Sequence, residues 1–158
     1  MSIRSFIDAA SESHAAGKYD IALTLACAAV DATAAKLYPR EKSNAARYKA
    51  FLKKAMQTIT RHGFPGIQAG AIRIKCRNVC ELKTDEFGYV GIEDIIYHTM
   101  RCGLVHQCEI DTRIVFTEHT EIGDFEATFR VPRQLVLGLI RAVMHDEING
   151  SEFPSGEA

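Results

Sequence analysis

The chain has 158 residues, 47% of them apolar and 25% charged, with a net charge of −1. That profile fits one globular domain with a sizeable core and excludes a disordered polyelectrolyte; no apolar run is long enough to span a bilayer. Five cysteines, an odd number, argue against a disulfide framework and for free thiols in a reducing compartment. The opening MSIRSFIDAASESH lacks the apolar stretch of a secretory signal, so the cytoplasm is the expected location, with no membrane partner.

Residues 2–16 carry a loose helical spacing of Ile3, Phe6, Ile7 and Ala10, broken by Gly17. Lys18 to Leu37 then runs without Gly or Pro. Its two apolar stripes, Leu23, Cys27, Val30, Ala34, Leu37 and Ile21, Leu25, Ala28, Ala32, predict a helix apolar on most sides and central in a bundle. Pro39 follows its end. Asp31 interrupts this helix, and a carboxylate in such a place needs a partner. It either forms a structural pair in the core or orients a site residue such as Arg101 or His106.

The near-zero net charge hides an asymmetry. Lys36 to Arg77 holds eleven of the 19 lysines and arginines and one of the 20 acids, a local charge of +10 against −11 for the rest. Such a split suits a surface facing a polyanion, or two parts that neutralise each other across the fold. Residues 43–62, SNAARYKAFLKKAMQTITRH, predict a basic amphipathic helix with Ser43 as N-cap, and Gly63 placed to end it. Tyr48, Leu52, Ala55, Met56 and Ile59 form its apolar face. Arg47, Lys49, Lys53 and Lys54 are then candidate phosphate contacts.

Ile72, Ile74 and Cys76 alternate with basic residues, which fits a short strand or a helical turn. Gly91 precedes a helix marked by Ile92, Ile95, Ile96, Met100 and Leu104 that ends near His106 to Cys108. Arg113 to Thr120 and Asp124 to Val131 then read as the arms of a β-hairpin. Pro132 fits the first turn of a last helix, residues 132–148. The polar tail from Gly150 is expected to fray. The predicted architecture is mainly α: a helical bundle of about five helices with one β-hairpin inserted before the C-terminal helix, in a single domain over residues 1–149 with a flexible tail over 150–158.

The chain contains no GxGxxG, P-loop, HExxH or GxSxG motif. Cys76 and Cys80 have no matching second pair, a weak zinc pattern. Asp94, His98, Cys102 and His106 share one face of a regular helix, but span too much length to reach one ion. No metal or cofactor is therefore expected. Arg101 and His106 offer another chemistry. Histidine works as an acid or base near neutral pH, and a fixed guanidinium holds phosphate and stabilises charge developing on it. Together they suffice to cleave RNA through its 2′-hydroxyl without a metal. Five residues on a regular helix turn about 140°, so the two converge only at a cleft, a helix end or a dimer interface. Gly103, between them, permits close approach of a backbone or phosphate.

The segment IIYHTM followed by Arg101-CGLV-His106 and then acids resembles the HEPN family, whose hallmark is Arg-x(4–6)-His near a helix end. The alanine-rich ALTLACAAVDATAAKLY is similar to the helix that packs on that motif in HEPN proteins. The two segments cover roughly a quarter of the chain. The resemblance implies a helical bundle, commonly homodimeric with the two motifs facing across a cleft, and metal-independent endoribonuclease activity in many members. Other members bind nucleotides or act as protein partners, and some are toxins paired with an antitoxin. Active members often carry asparagine after the arginine; here Cys102 stands in that place. A second spacing, Arg113 to His119, falls on the predicted hairpin, where alternation separates its ends.

These readings make Arg101 and His106 the catalytic candidates, with RNA or a nucleotide as ligand. The alternative is a non-catalytic RNA- or nucleotide-binding or protein-interaction module, in which Arg101 and His106 join a polar cluster with Asp31 or Glu109. An open cleft shared by the two residues would favour catalysis, and a buried, fully paired Arg101 a structural role.

Overall fold

The computed structural model describes residues 2–76, 82–102, 114–126 and 128–154. The fold is mainly α with a small β part. Helix α1, Ile3–Ala15, starts from a capping box in which the Ser2 and Ser5 side chains each accept from the other's backbone N–H. Gly17 then takes φ +74°, which a side chain disfavours, and the chain turns into α2, Tyr19–Leu37. As its alanine-rich stripes predict, α2 is central: Ala22, Leu23, Ala26, Ala29, Val30, Thr33 and Ala34 are all fully buried. It packs against α1, against α3, Asn44–Lys54, and against the last long helix, α6, Leu135–His145.

The basic segment forms two helices rather than one. The chain bends at Ala55, with φ −90° and ψ 5°, between α3 and α4, Met56–Gly63. Helical hydrogen bonds continue on both sides, from Ala55 to Phe51 and from Ile59 to Ala55, each 2.9 Å. Ser43 caps α3 by accepting from Ala46, and α4 ends at Gly63 as expected. Helices α4 and α6 run in opposite directions, since Gly63 meets Leu135 while Ile59 meets Gly138. Their approach is close because both contact points are glycine. A Cβ on Gly138 would lie 2.5 Å from the Ile59 carbonyl oxygen and 3.2 Å from the Gly63 Cα.

The Ile72–Cys76 alternation resolves as strand. β1, Arg73–Lys75, pairs antiparallel with β2, Tyr89–Gly91, with Ile74 inward and Arg73 and Lys75 outward. Asp85 organises the turn before β2 by accepting from the Phe87 and Tyr89 backbone N–H groups and from Arg73. Helix α5, Ile92–Ile95, follows and passes directly into a π-helical segment, Ile96–Arg101.

The three-stranded sheet departs from the expected hairpin. Strand β3, Ile114–Thr117, lies parallel to β5, Thr128–Pro132, and the antiparallel neighbour of β5 is β4, Gly123–Phe125. A hairpin does precede the last helix, but its arms are the two halves of the single arm predicted over residues 124–131. Glu126, at φ +53°, reverses the chain there. Pro132 closes β5 rather than opening a helix, and α6 begins at Leu135.

The tail is tied down as far as it is described. A 3₁₀ turn, Glu147–Asn149, buries Asn149 completely, and its amide donates to Thr33 Oγ1 and the Val143 carbonyl, both at 3.0 Å. Glu152 accepts from the Arg4 backbone N–H and pairs with Lys36 at 2.7 Å, while Phe153 is buried. Glu152 thus ties the start of the tail to α1 and α2; residues 155–158 lie outside the described part.

Candidate functional site

Arg101 ends the π-helical segment, in which the Cys102 N–H bonds to the Tyr97 carbonyl, five residues back. The wider turn sets both Arg101 and Cys102 over Tyr97. The Arg101 guanidinium lies 5.5 Å from the Tyr97 ring centroid, a cation–π contact. Single π-turns inside α-helices recur at functional sites. In this wider turn Asp94, His98 and Cys102 no longer stack at a regular four-residue spacing. Asp94 is occupied by Lys49 at 2.9 Å. No group of three or more His, Cys, Asp or Glu able to hold a metal ion occurs among the described residues.

Asp31, from the middle of α2, reaches this turn. Its Oδ2 accepts from Arg101 Nη2 at 2.6 Å, and the two side chains retain only 25% and 11% of their exposure. The partner that a carboxylate in the middle of α2 needs is thus Arg101. Burial works against the guanidinium charge, but the hydrogen bond and charge of Asp31 outweigh it and raise the Arg101 pKa above its ordinary value. The pairing is one-sided. Arg101 Nε and Asp31 Oδ1 are both buried without a hydrogen-bond partner among the described residues, although a guanidinium offers five donors and a carboxylate about four acceptor sites. Arg101 is thus largely buried, with Asp31 as its carboxylate partner, the Cys102 thiol beside it and Nε unpartnered among the described residues.

Beneath the pair lies a layer that the sequence did not single out. The Tyr48 hydroxyl is buried against the Cys27 thiol with no conventional hydrogen-bond partner, and the Tyr48 ring meets Tyr97 edge-on at 5.4 Å. Burial pushes the Cys27 thiol up to about 12, so it stays a thiol and a poor nucleophile. Burial also raises the Tyr97 phenol, helped by Cys102. The available signal was the placement of Cys27 and Tyr97 each four residues before Asp31 and Arg101, one helical turn away.

The other candidates are dispersed. Lys49 pairs with Asp94, Lys53 with Glu93 at 3.6 Å and Lys54 with Asp146 at 2.6 Å. These three lysines each lie beside an acid from elsewhere in the fold. Arg47 has no ion pair among the described residues, and its Nε is buried without a partner. His106, Gly103, Glu109 and Arg113 lie outside the described residues, as do Cys80 and Cys108.

The fold and this site define a small mainly helical domain with an arginine–carboxylate pair joining α2 to a π-turn. The family model Rv1289 matches residues 2–156, and the chain belongs to the Rv1289 family. Comparison with curated proteins and with solved structures gives no match.

Proposed function

We propose that this chain is a HEPN-like, homodimeric endoribonuclease that cuts single-stranded RNA without a metal ion, through Arg101 and His106. The observation that supports this reading is the Asp31–Arg101 pair. It fixes a charged guanidinium five residues before His106 in the chain, and its Nε has no partner among the described residues. In this scheme Arg101 holds the scissile phosphate and stabilises its developing charge. His106 takes the proton from the attacking 2′-hydroxyl or gives one to the leaving 5′-oxygen. Asp31 positions Arg101 and touches no substrate. Cys102, where active HEPN proteins often carry asparagine, supplies only a weak donor, which predicts slow turnover.

A second reading rests on the burial of Arg101. A guanidinium with 11% of its side chain exposed, packed on Tyr97 and paired with Asp31, also suits a clamp between α2 and the motif helix in a non-catalytic RNA- or nucleotide-binding or protein-interaction module. An antitoxin-like protein is the partner class that the HEPN resemblance implies. The two readings separate in one assay. The endoribonuclease cuts single-stranded RNA in EDTA, and His106→Ala stops cleavage while the dimer and fold persist. The clamp gives no cleavage by either protein, and Arg101→Ala lowers the melting temperature.

A further inference from the structure

A second group of arginines and histidines lies where α4 crosses α6, and it uses none of the residues of the Arg101 pair. The His62 and His145 rings meet edge-on with centroids 5.7 Å apart. Arg61 precedes His62 on α4, and Arg141 lies one turn before His145 on α6. The charges of Arg61 and Arg141 act on both rings. Neither arginine has an ion pair or hydrogen bond among the described residues. The close glycine contact of α4 with α6 holds the two helices at the separation that brings these side chains together.

The surrounding charges do not answer the cluster. The nearby cavity, about 300 Å³, is lined by Lys54, Thr58, His145, Asp146 and Glu147 among others. Asp146 is spent, with Oδ2 on Lys54 and Oδ1 accepting from the Ile148 backbone N–H. Glu147, the remaining carboxylate on that side, is exposed and is not among the charges that shift either imidazole. Burial and the neighbouring cations hold both imidazoles below the usual histidine range, His145 adding to the arginines at His62. Two guanidiniums and two imidazoles gathered with no carboxylate bonded to them among the described residues stand at an electrostatic cost that an anion removes. The donors fit it: guanidinium forks bind tetrahedral oxyanions in two-point fashion, and protonated imidazole adds a charged N–H.

We propose that Arg61, His62, Arg141 and His145 form a binding site for a phosphate-type oxyanion, filled most tightly when both imidazoles are protonated. The ligand is free phosphate or the phosphate of a small phosphoester. A metal ion is disfavoured there by the two adjacent cationic side chains.

The test follows the histidine ring resonances of the ¹⁵N-labelled protein during titration with sodium sulfate, whose charge stays fixed across the range. Saturable shifts confined to His62 and His145 are expected, with binding about tenfold tighter at a pH near 5.5 than near 8. The Arg61→Gln, Arg141→Gln double variant should lose saturation, and potassium chloride at matched ionic strength should not reproduce it in the wild type. Linear shifts in all the histidines, equal effects of chloride, or saturation that survives loss of both arginines would overturn the proposal. Should the double variant fail to fold, the chloride comparison and the pH dependence still decide it. Inorganic phosphate and adenosine 5′-monophosphate, compared at one pH, then separate free phosphate from an esterified one. Sulfate saturation without RNA cleavage would leave this site standing while removing the ribonuclease, and the reverse result would do the opposite.

Discussion

At Arg101 the guanidinium is mostly buried and a carboxylate answers it at 2.6 Å. At the crossing of α4 and α6, Arg61 and Arg141 stand beside two imidazoles with no acid bonded to them among the described residues. The first arrangement raises the arginine pKa, and the second lowers both histidines. The contrast separates two uses of cationic side chains. A buried cation with a carboxylate is fixed in place and costs much to disturb, whereas a partly exposed group of unanswered cations costs little to disturb and gains from an incoming anion.

The largest expected effect comes from the helix contact that creates the second group. Gly138→Ala places a methyl 2.5 Å from the Ile59 carbonyl oxygen, a backbone atom that cannot swing away. A loss of about 3 kcal/mol in chemical denaturation is expected, together with loss of sulfate binding as α4 and α6 separate. Unchanged stability would show that the crossing is looser than described. Asp31→Ala should rank next. It leaves a largely buried guanidinium unpaired, and because the pair keeps some exposure the expected loss is about 2 kcal/mol, between the surface and fully buried cases. A change below about 0.5 kcal/mol, typical of a surface site, would break the comparison from the Arg101 side.

The pH dependence of folding sharpens it from the other side. His62 and His145 have folded-state pKa values below the ordinary 6.5, so the unfolded chain binds protons more readily. Stability is then fully present above the unfolded value and falls as pH drops from there through the folded value. Urea midpoints between pH 8 and pH 5 should show that decline. The double variant His62→Gln, His145→Gln should flatten it, and sulfate should offset it in the wild type. A decline unaltered by the double variant would assign it to other groups. The smallest effect belongs to Arg61→Gln. This exposed residue without a carboxylate should change stability by less than about 0.5 kcal/mol, while weakening sulfate binding several-fold.

Much of the helical frame was legible because its signals are local. Ser43 caps α3, Gly17 and Gly63 end helices, and the alanine stripes place α2 in the core. Asp31 was legible as a charge in need of a partner for the same reason. The sheet was not, since parallel pairing of β3 with β5 is a long-range choice that alternation cannot distinguish from a hairpin. Nor does any local pattern announce that Glu126 would accept positive φ. The π-turn at Ile96–Arg101 leaves no mark in the spacing of Ile92, Ile95, Ile96 and Met100, which stay buried, yet it accompanies the seating of Arg101 over Tyr97. The histidine pair joins positions 62 and 145 through two glycines, each of which alone reads as a helix end or a weak point.

The chemistry of RNA ends tests the central claim most directly. Purified protein incubated in EDTA with a defined single-stranded RNA should release fragments ending in a 2′,3′-cyclic phosphate, as attack by the 2′-hydroxyl requires, and both His106→Ala and Arg101→Ala should abolish them. Absence of cleavage by the wild type, products ending in a 3′-hydroxyl, or cleavage that survives His106→Ala would contradict the account.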